Sequence, residues 1–490
     1  MKSLSPTTCS LKYSQKGSNS LTLKLLISLL GILTVSCNKL VEVKPPIVGT
    51  SSSVVYQNDA SAIAVVNGIY TQMFQQGINT GITSLSLCAG LSSDELVVYN
   101  NVNDPVLTSF YTNTLTPTLT GAFDYWSSIY SNQIFTINSV IEGLNSSISL
   151  TPAVKKQLLG EVKFLRAFCF FYLTNLYGDI PLVLTSDYTL NSKIGRSIQT
   201  EVYKQIVSDL KEAEILLNEN YLNSTLLSAS DERVAPNKYA ATSLLARVYL
   251  FIGEWQQAES HASQVISNQA LYDTVPLQDV FLINNRESIW QLQSVSNTVT
   301  NTSDALLFIL PSTGPNSFPN TVYLSDSLAY SFEAGDNRRA NWIDSVIVDN
   351  ITYFYPTKYK SNILQSPPQE RTSILRLSEQ YLIRSEARIR LGDITGGLSD
   401  LNIIRVRAGL SPILNASNET ALSLVLRERR LELFLEWGHR WFDLKRTLNA
   451  DNVLSKTKAP NWQSTDQLYP IPASELNRNS TLVGHQNPGY

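Results

Sequence analysis

Apolar residues recur at helical spacing over most of the chain. In NDASAIAVVNGIYTQMF, Ile63, Val66, Ile69, Tyr70 and Met73 fall on one face. Residues 124–144 repeat the pattern with Trp126, Ile129, Tyr130, Ile134, Ile137 and Ile141. Residues 152–177 predict a long helix, opened by Thr151 at the N-cap and Pro152 in the first turn and closed at Gly178-Asp179. DIPLV then leaves as extended chain, and further helices are expected over 200–218 and 236–252. The last of these runs on through SLLARVYLFIGEWQQAESHASQVI. There Leu245-Ala246, Tyr249, the turn residue Gly253, Trp255 and Ala258 have the spacing of a tetratricopeptide-like helix pair. YLIRSEARIRLGDITGGLSDLNIIRVRAGL repeats the plan more loosely, with Gly392 at the turn and Gly397 at the small position. Trp126 and Trp255 sit on apolar helical faces and read as core. These units are too few and too far apart for a solenoid, so the expectation is a mostly α domain with helix pairs embedded in it.

The pattern changes over residues 270–370, which are rich in Asn, Ser, Thr, Pro and aromatics and hold strand-like runs such as ESIWQLQ and TYFYPTKY. This reads as a loop-rich insertion on a rigid helical frame, where binding usually resides.

One stretch looks catalytic. LRERRLELFLEWGHRWFDLKR crowds acids, arginines, a histidine and two tryptophans together. As a helix it places Leu424, Leu431, Phe434, Leu435, Gly438, Trp441 and Phe442 along one side. Glu428, Glu432 and Glu436 then stack at i, i+4 on another, with Arg429, Arg440 and Arg446 able to pair with acids. Gly438 either permits close packing or marks a break. Alternating sign, a continuous apolar face and a lone histidine favour an ion-paired helix wedged into the core over an active site.

The N-terminus adds a compartment. Lys2, Lys12, Lys16 and Lys24 precede or enter an apolar run over 25–36, and no acid occurs before Glu42. A run of 12 residues is short of the roughly 20 needed to span a membrane and fits a secretory leader. Small Ser36 precedes Cys37, which suits cleavage before a cysteine that is then lipidated. Thr34 stands where the commonest lipoprotein signal has leucine, which here lies one place earlier at Leu33. Residues 38–55, with a proline pair and a serine run, read as linker. The organisation expected is a leader over 1–36, the lipidated cysteine and linker over 37–55, and one domain over 56–490.

Net charge is −3 and charged residues make up 16% of the 490, below the usual quarter. This excludes the basic field of a nucleic-acid binder and suits neutral polar ligands. Cys88 and Cys169 are the only cysteines outside the leader and anchor, so no disulfide framework is expected. Dinucleotide, P-loop and nucleophile-elbow motifs do not occur. His261, His439 and His485 fall in no metal-ligand pattern, and no cofactor or metal is expected. A glycosidase needs only two carboxylates, but Asp94-Glu95 and Asp231-Glu232 are adjacent pairs whose side chains diverge. A surface glycoside hydrolase or lyase, and a protein-binding helical scaffold, stand as alternative readings.

The combination of RLSEQYLIRSEARIRLG, LNIIRVRAGL, ERRLELFLEWGHRWFDLKR and the terminal LYPIPASELNRNSTLVGHQNPGY resembles the SusD/RagB family of outer-membrane lipoproteins. LSSDE and EVKFLRAFCFFYLTNLYGDIPLV agree in the N-terminal half. A strong acidic run just after Cys37 is missing. The resemblance implies a SusD-like α-helical fold with four tetratricopeptide-like helix pairs, residues 371–490 being the family's C-terminal region. It implies a cell-surface lid, not an enzyme, over a SusC-like TonB-dependent transporter, capturing an oligosaccharide or, in some relatives, a peptide. Carried over by position, it points to Asp94, Tyr99 and Asn101 after the S-D-E motif, and to Trp290, Tyr323 and Trp342 in the variable middle. Of these Trp342, beside GDNRRANW, is expected to be the most exposed.

Overall fold

The computed structural model describes residues 55–75, 78, 84–100, 103–118, 124–295, 301–362 and 368–490, all within the compact unit 52–490. Helices α1 (Asp59–Gln75) and α2 (Leu85–Ser92) lead to strand β1 (Leu96–Val98) and helix α3 (Pro105–Thr112). A composite helix follows, α over Tyr125–Ser128, π over Ile129–Ile134 and α4 over Phe135–Ser146. Helices α5 (Pro152–Tyr177), α6 (Gln199–Leu216), α7 (Lys238–Phe251) and α8 (Trp255–Ser267) form the centre. The middle region supplies β2 (Ser288–Leu292), β3 (Val322–Leu324), β4 (Ile343–Val348), β5 (Ile351–Pro356) and β6 (Thr372–Arg376). Helices α9 (Leu377–Arg390), α10 (Ile394–Arg407), α11 (Asn418–Leu433), α12 (His439–Arg446) and α13 (Ala450–Thr457) complete a mostly α fold. These strands pair in antiparallel twos, β1 with β3, β2 with β6 and β4 with β5.

Helix α5 is the axis, because it is apolar nearly all round and therefore needs cover on every side. Pro152 opens it and Gly178, at φ +75°, closes it; Thr151 sits at the N-cap without a side-chain cap bond. Phe164, Phe168, Phe171 and Tyr172 are buried along it, each worth about 1.5–3 kcal/mol of burial. The polar groups it buries hold its neighbours in place. Arg166 meets Asp209 of α6 at 2.7 and 2.8 Å and Asn138 of α4 at 3.1 Å, and Glu161 accepts from Tyr70 of α1 at 2.8 Å.

The two helix pairs lie where the small residues place them. In α10, a Cβ on Gly397 would stand 2.4 Å from Ile389 and 2.9 Å from the Ser385 carbonyl oxygen of α9, so only glycine fits. Gly253 and Gly392 make the turns at φ +76° and +92°. Arg247 of α7, fully buried, forks onto Glu379 of α9 with two bonds of 2.7 Å and joins the pairs. Trp255 corrects the expectation of core: it is half-buried, with the Arg390 guanidinium 5.3 Å from its ring centre. Trp126 is buried. Cys88 and Cys169 are buried free thiols. Among the described residues no helix is long and apolar enough to cross a membrane.

The acid-rich stretch is not one helix. α11 ends at Leu433 and α12 starts at His439, with Leu435, Trp437 and Gly438 at positive φ between them. Two non-glycine residues in the left-handed region are unfavourable, and the fold holds them in place. Glu95 accepts from the Leu435 amide at 3.2 Å, and Ser86 Oγ accepts from the Trp437 amide at 3.1 Å.

Candidate functional site

Behind the break lies a buried ion network. Glu432 of α11 receives Arg338, Arg376 and Arg407, and these reach on to Asp336, Glu287, Glu428 and Glu436. Burial pushes the Glu432 carboxyl up, but Arg407, Arg376 and Arg338 more than offset this and hold it well below the usual carboxylate range. Lys358 adds bonds to the carbonyls of Glu432 (2.8 Å) and Phe434 (2.9 Å) and an ion pair to Glu436. His439 lies near Glu379 at 4.0 Å, yet burial first and then Arg247 and Arg429 hold it far below its usual value, so it is neutral. These charges saturate one another. They form a frame, and no group of three or more potential metal ligands occurs among the described residues.

The S-D-E motif belongs to this frame. Asp94 is buried and paired with Arg440 (2.7 and 3.0 Å) and Arg430 (2.9 Å). Its main-chain carbonyl takes the Ser325 hydroxyl at 2.6 Å, and the Glu95 carbonyl takes the Ser325 amide at 2.9 Å. As a ligand contact Asp94 is therefore corrected: both its oxygens are taken by arginine, and it fixes the start of β1 against the end of β3.

That pairing builds the candidate site. Val97 lies opposite Tyr323 in the β1–β3 ladder, and the Tyr99 amide continues it to the Thr321 carbonyl at 2.9 Å. Alternation sends Leu96, Val98, Val322 and Leu324 to the core. It leaves Val97, Tyr99 and Tyr323 on the outer face, with the tyrosines as diagonal neighbours. Tyr353 of β5 closes the group edge-on, its ring centre 5.8 Å from Tyr99 and 5.1 Å from Tyr323. Tyr99 and Tyr323 are half-buried; Tyr353 is nearly covered at 8% exposure. Among the described residues the phenol oxygens of Tyr323 and Tyr353 have no hydrogen-bond partner. Burial, with Tyr111, Tyr353 and Asp326 adding to it, pushes the Tyr323 phenol up. All of this leaves a neutral aromatic surface with hydroxyls to spare.

Two tryptophans are corrected. Trp342 has no exposed surface; its Nε1 donates to the Leu277 carbonyl at 3.1 Å, and Phe281 and Phe434 pack on it. The polar run before it misled, because Arg338 turns inward to the ion network instead of outward to water. Trp290 is equally buried, edge-on to Phe164 (4.9 Å) and Phe168 (5.2 Å), in a strand covered on both faces. Asn101 and Cys37 lie outside the described residues, as do the leader and nearly all of the linker. Tyr353 was missed: its run was legible as a strand, but nothing in the sequence places it beside residues 99 and 323.

Two family models match the chain. One, described as "Starch-binding associating with outer membrane", covers residues 49–250, and the SusD family model covers 348–490. The SusD-like protein P2 of Formosa agariphila is 27% identical over 424 aligned positions, covering 75% of this chain and 80% of its own. The starch-binding protein SusD of Bacteroides thetaiotaomicron is 24% identical, covering 71% of this chain and 75% of its own. Among solved structures, a laminarin-binding SusD-like protein shares the fold with a TM-score of 0.73 at 23% identity, over 89% of this chain and all of that one.

Proposed function

The chain belongs to the SusD/RagB family, and on that premise we propose that it is a surface glycan-binding protein whose tyrosine cluster captures a neutral oligosaccharide. It is not an enzyme. The relatives named as starch- and laminarin-binding support this reading, and the single observation that carries it is the convergence of Tyr99, Tyr323 and Tyr353. Sugar rings present C–H faces to aromatic rings and hydroxyls to phenols. Aromatic contacts add ~0.5–1.5 kcal/mol each beyond area burial, so three of them give weak, reversible capture. That suits a lid which holds its ligand until a SusC-like TonB-dependent barrel completes the cage. In this reading residues 1–36 are the leader, Cys37 carries the lipid that tethers the protein to the outer membrane, 37–55 is a tether, and 56–490 is one domain. Asn101, two positions after Tyr99 in the sequence, remains a proposed ligand contact.

Titrating the purified chain with laminarin, starch and other neutral glycans tests the proposal. Saturable binding without released product is expected, and the Tyr99→Ala/Tyr323→Ala double variant abolishes it. Oligosaccharide products, or binding that survives the double variant unchanged, would overturn it.

A further inference from the structure

A second cleft shares no residue with the tyrosine cluster or the Glu432 network. It encloses about 500 Å³ where the C-terminal ends of α5, α7 and α12 meet the start of α6 and the 3-10 turn Ser464–Gln467, within the size range of small-ligand sites. Its two cations differ. Arg446 is saturated: Glu386 takes it at 2.7 and 2.8 Å and Asp443 at 2.7 Å. Lys445 makes no ion pair among the described residues. Its ammonium donates to the Asn175 carbonyl and lies 5.5 Å from the ring centre of Trp441. Burial pushes it down to about 7, and no neighbouring acid lifts it back.

An ammonium has three donors, and placing one out of water without an opposing charge is unfavourable. Lys358 answers that problem with Glu436; Lys445, like Lys458 on the Leu91 carbonyl, has a main-chain oxygen instead, and it lines the cleft. The Thr465 hydroxyl, on the wall formed by the 3-10 turn, is also buried without a hydrogen-bond partner among the described residues. Phe251, Leu468 and Pro488 line the rest with apolar surface.

We propose that this cleft is a second ligand site that takes a small carboxylate of acidic-sugar size, its anion pairing with Lys445, its remaining oxygen accepting from Thr465 and its ring lying on Phe251 and Leu468. The site is independent of neutral-glycan capture and would let the protein hold an acidic sugar at the same time.

The test is calorimetric titration of the full chain with sodium glucuronate, glucose and sodium sulfate. Glucuronate binds saturably and glucose does not. Lys445→Met weakens glucuronate about tenfold or more, the loss expected for a charge-assisted hydrogen bond, and Thr465→Val weakens it less. A second measurement on the unaltered protein does not depend on any variant folding: acylation with an amine-reactive ester at neutral pH, read by peptide mass. Glucuronate slows modification of Lys445 and glucose leaves it unchanged. Equal binding of glucuronate and glucose, or Lys445 labelling indifferent to glucuronate, would overturn the proposal. Sulfate binding as tightly as glucuronate would overturn the assignment to a carboxylate.

Discussion

The ion network and the tyrosine cluster meet at β1, and they are built by opposite means. Just before the strand, Asp94 is tied into buried charge and Glu95 holds the Leu435 amide; Tyr99, just after it, stands half-open among neutral rings. In the network nearly every carboxylate faces an arginine or lysine, so no charge is left over for a ligand. In the cluster the phenols of Tyr323 and Tyr353 lack a partner among the described residues. In these two regions full charges fix position, and uncharged groups that they hold still are left open. A buried ion pair adds little to stability over an apolar pair, but removing one member is severe; the same asymmetry makes the frame intolerant and the platform tolerant of change.

The largest predicted effect is therefore far from the ligand. Glu432→Ala leaves Arg338, Arg376 and Arg407 short of a shared partner and should lower stability by about 3–5 kcal/mol, read as a fall in the urea midpoint. A midpoint close to wild type would show that the network is dispensable and that the frame is no less tolerant of change than the platform. Trp342→Ala should follow at about 3–5 kcal/mol, again in stability, with glycan affinity per folded molecule intact.

Trp342 lies at the limit of what the sequence makes readable. Helices α5, α7 and α8, and the pair α9–α10, were legible because spacing and glycine are local properties. A glycine that no side chain could replace, such as Gly397, shows itself in the pattern. The place of Trp342 was not legible, because Arg338 finds Glu432 94 positions away and the run around it looks solvated until that partner is known. The break after Leu433 was hidden for the same reason: positive φ at Leu435 and Trp437 runs against local preference and is imposed by Glu95 and Ser86, more than 300 positions upstream. Of the site, Tyr99 and Tyr323 came from the family resemblance. Tyr353 depended on two strand pairings that only the fold reveals.

A smaller and more discriminating effect comes from pH. Burial first, and Asp94 second, push Glu95 up to about 7 from 4.5. Between those values the folded state keeps a proton the unfolded state has released, so this group's contribution falls as pH rises from 4.5 to 7 and is level above. Glu95→Gln removes that slope. Relative to its own stability at pH 4.5, the variant should gain up to ~3 kcal/mol over wild type by pH 8, measured by denaturant unfolding across the range. Glu161 and Asp304, also pushed up to about 7, are common to both proteins and cancel in the difference. Asp94, held low mainly by Arg440 against its burial, acts below this window and does not confuse it. Parallel curves for the two proteins would mean that the frame carries Glu95 ionised, and the motif would no longer be a neutral-at-rest anchor.

The smallest effect falls on the platform, where the comparison is sharpest. Tyr323→Ala should weaken capture of a neutral glycan by about two- to tenfold, one aromatic contact's worth, while the urea midpoint stays near wild type because the ring is half-buried at the outer face of a two-strand pair. Tyr323→Phe separates the two ways a tyrosine can serve a sugar. If the ring face carries the contact, the phenylalanine variant binds as tightly as wild type; if the unpartnered phenol does, it binds as weakly as the alanine variant. Retention by phenylalanine is the expected result, since an exposed hydroxyl exchanges one water bond for one sugar bond at little net gain, whereas the ring face gives up poorly hydrated surface. Salt adds a final control: capture by neutral rings should be indifferent to ionic strength, and a binding constant that fell with added salt would show that the frame's charges reach the ligand after all.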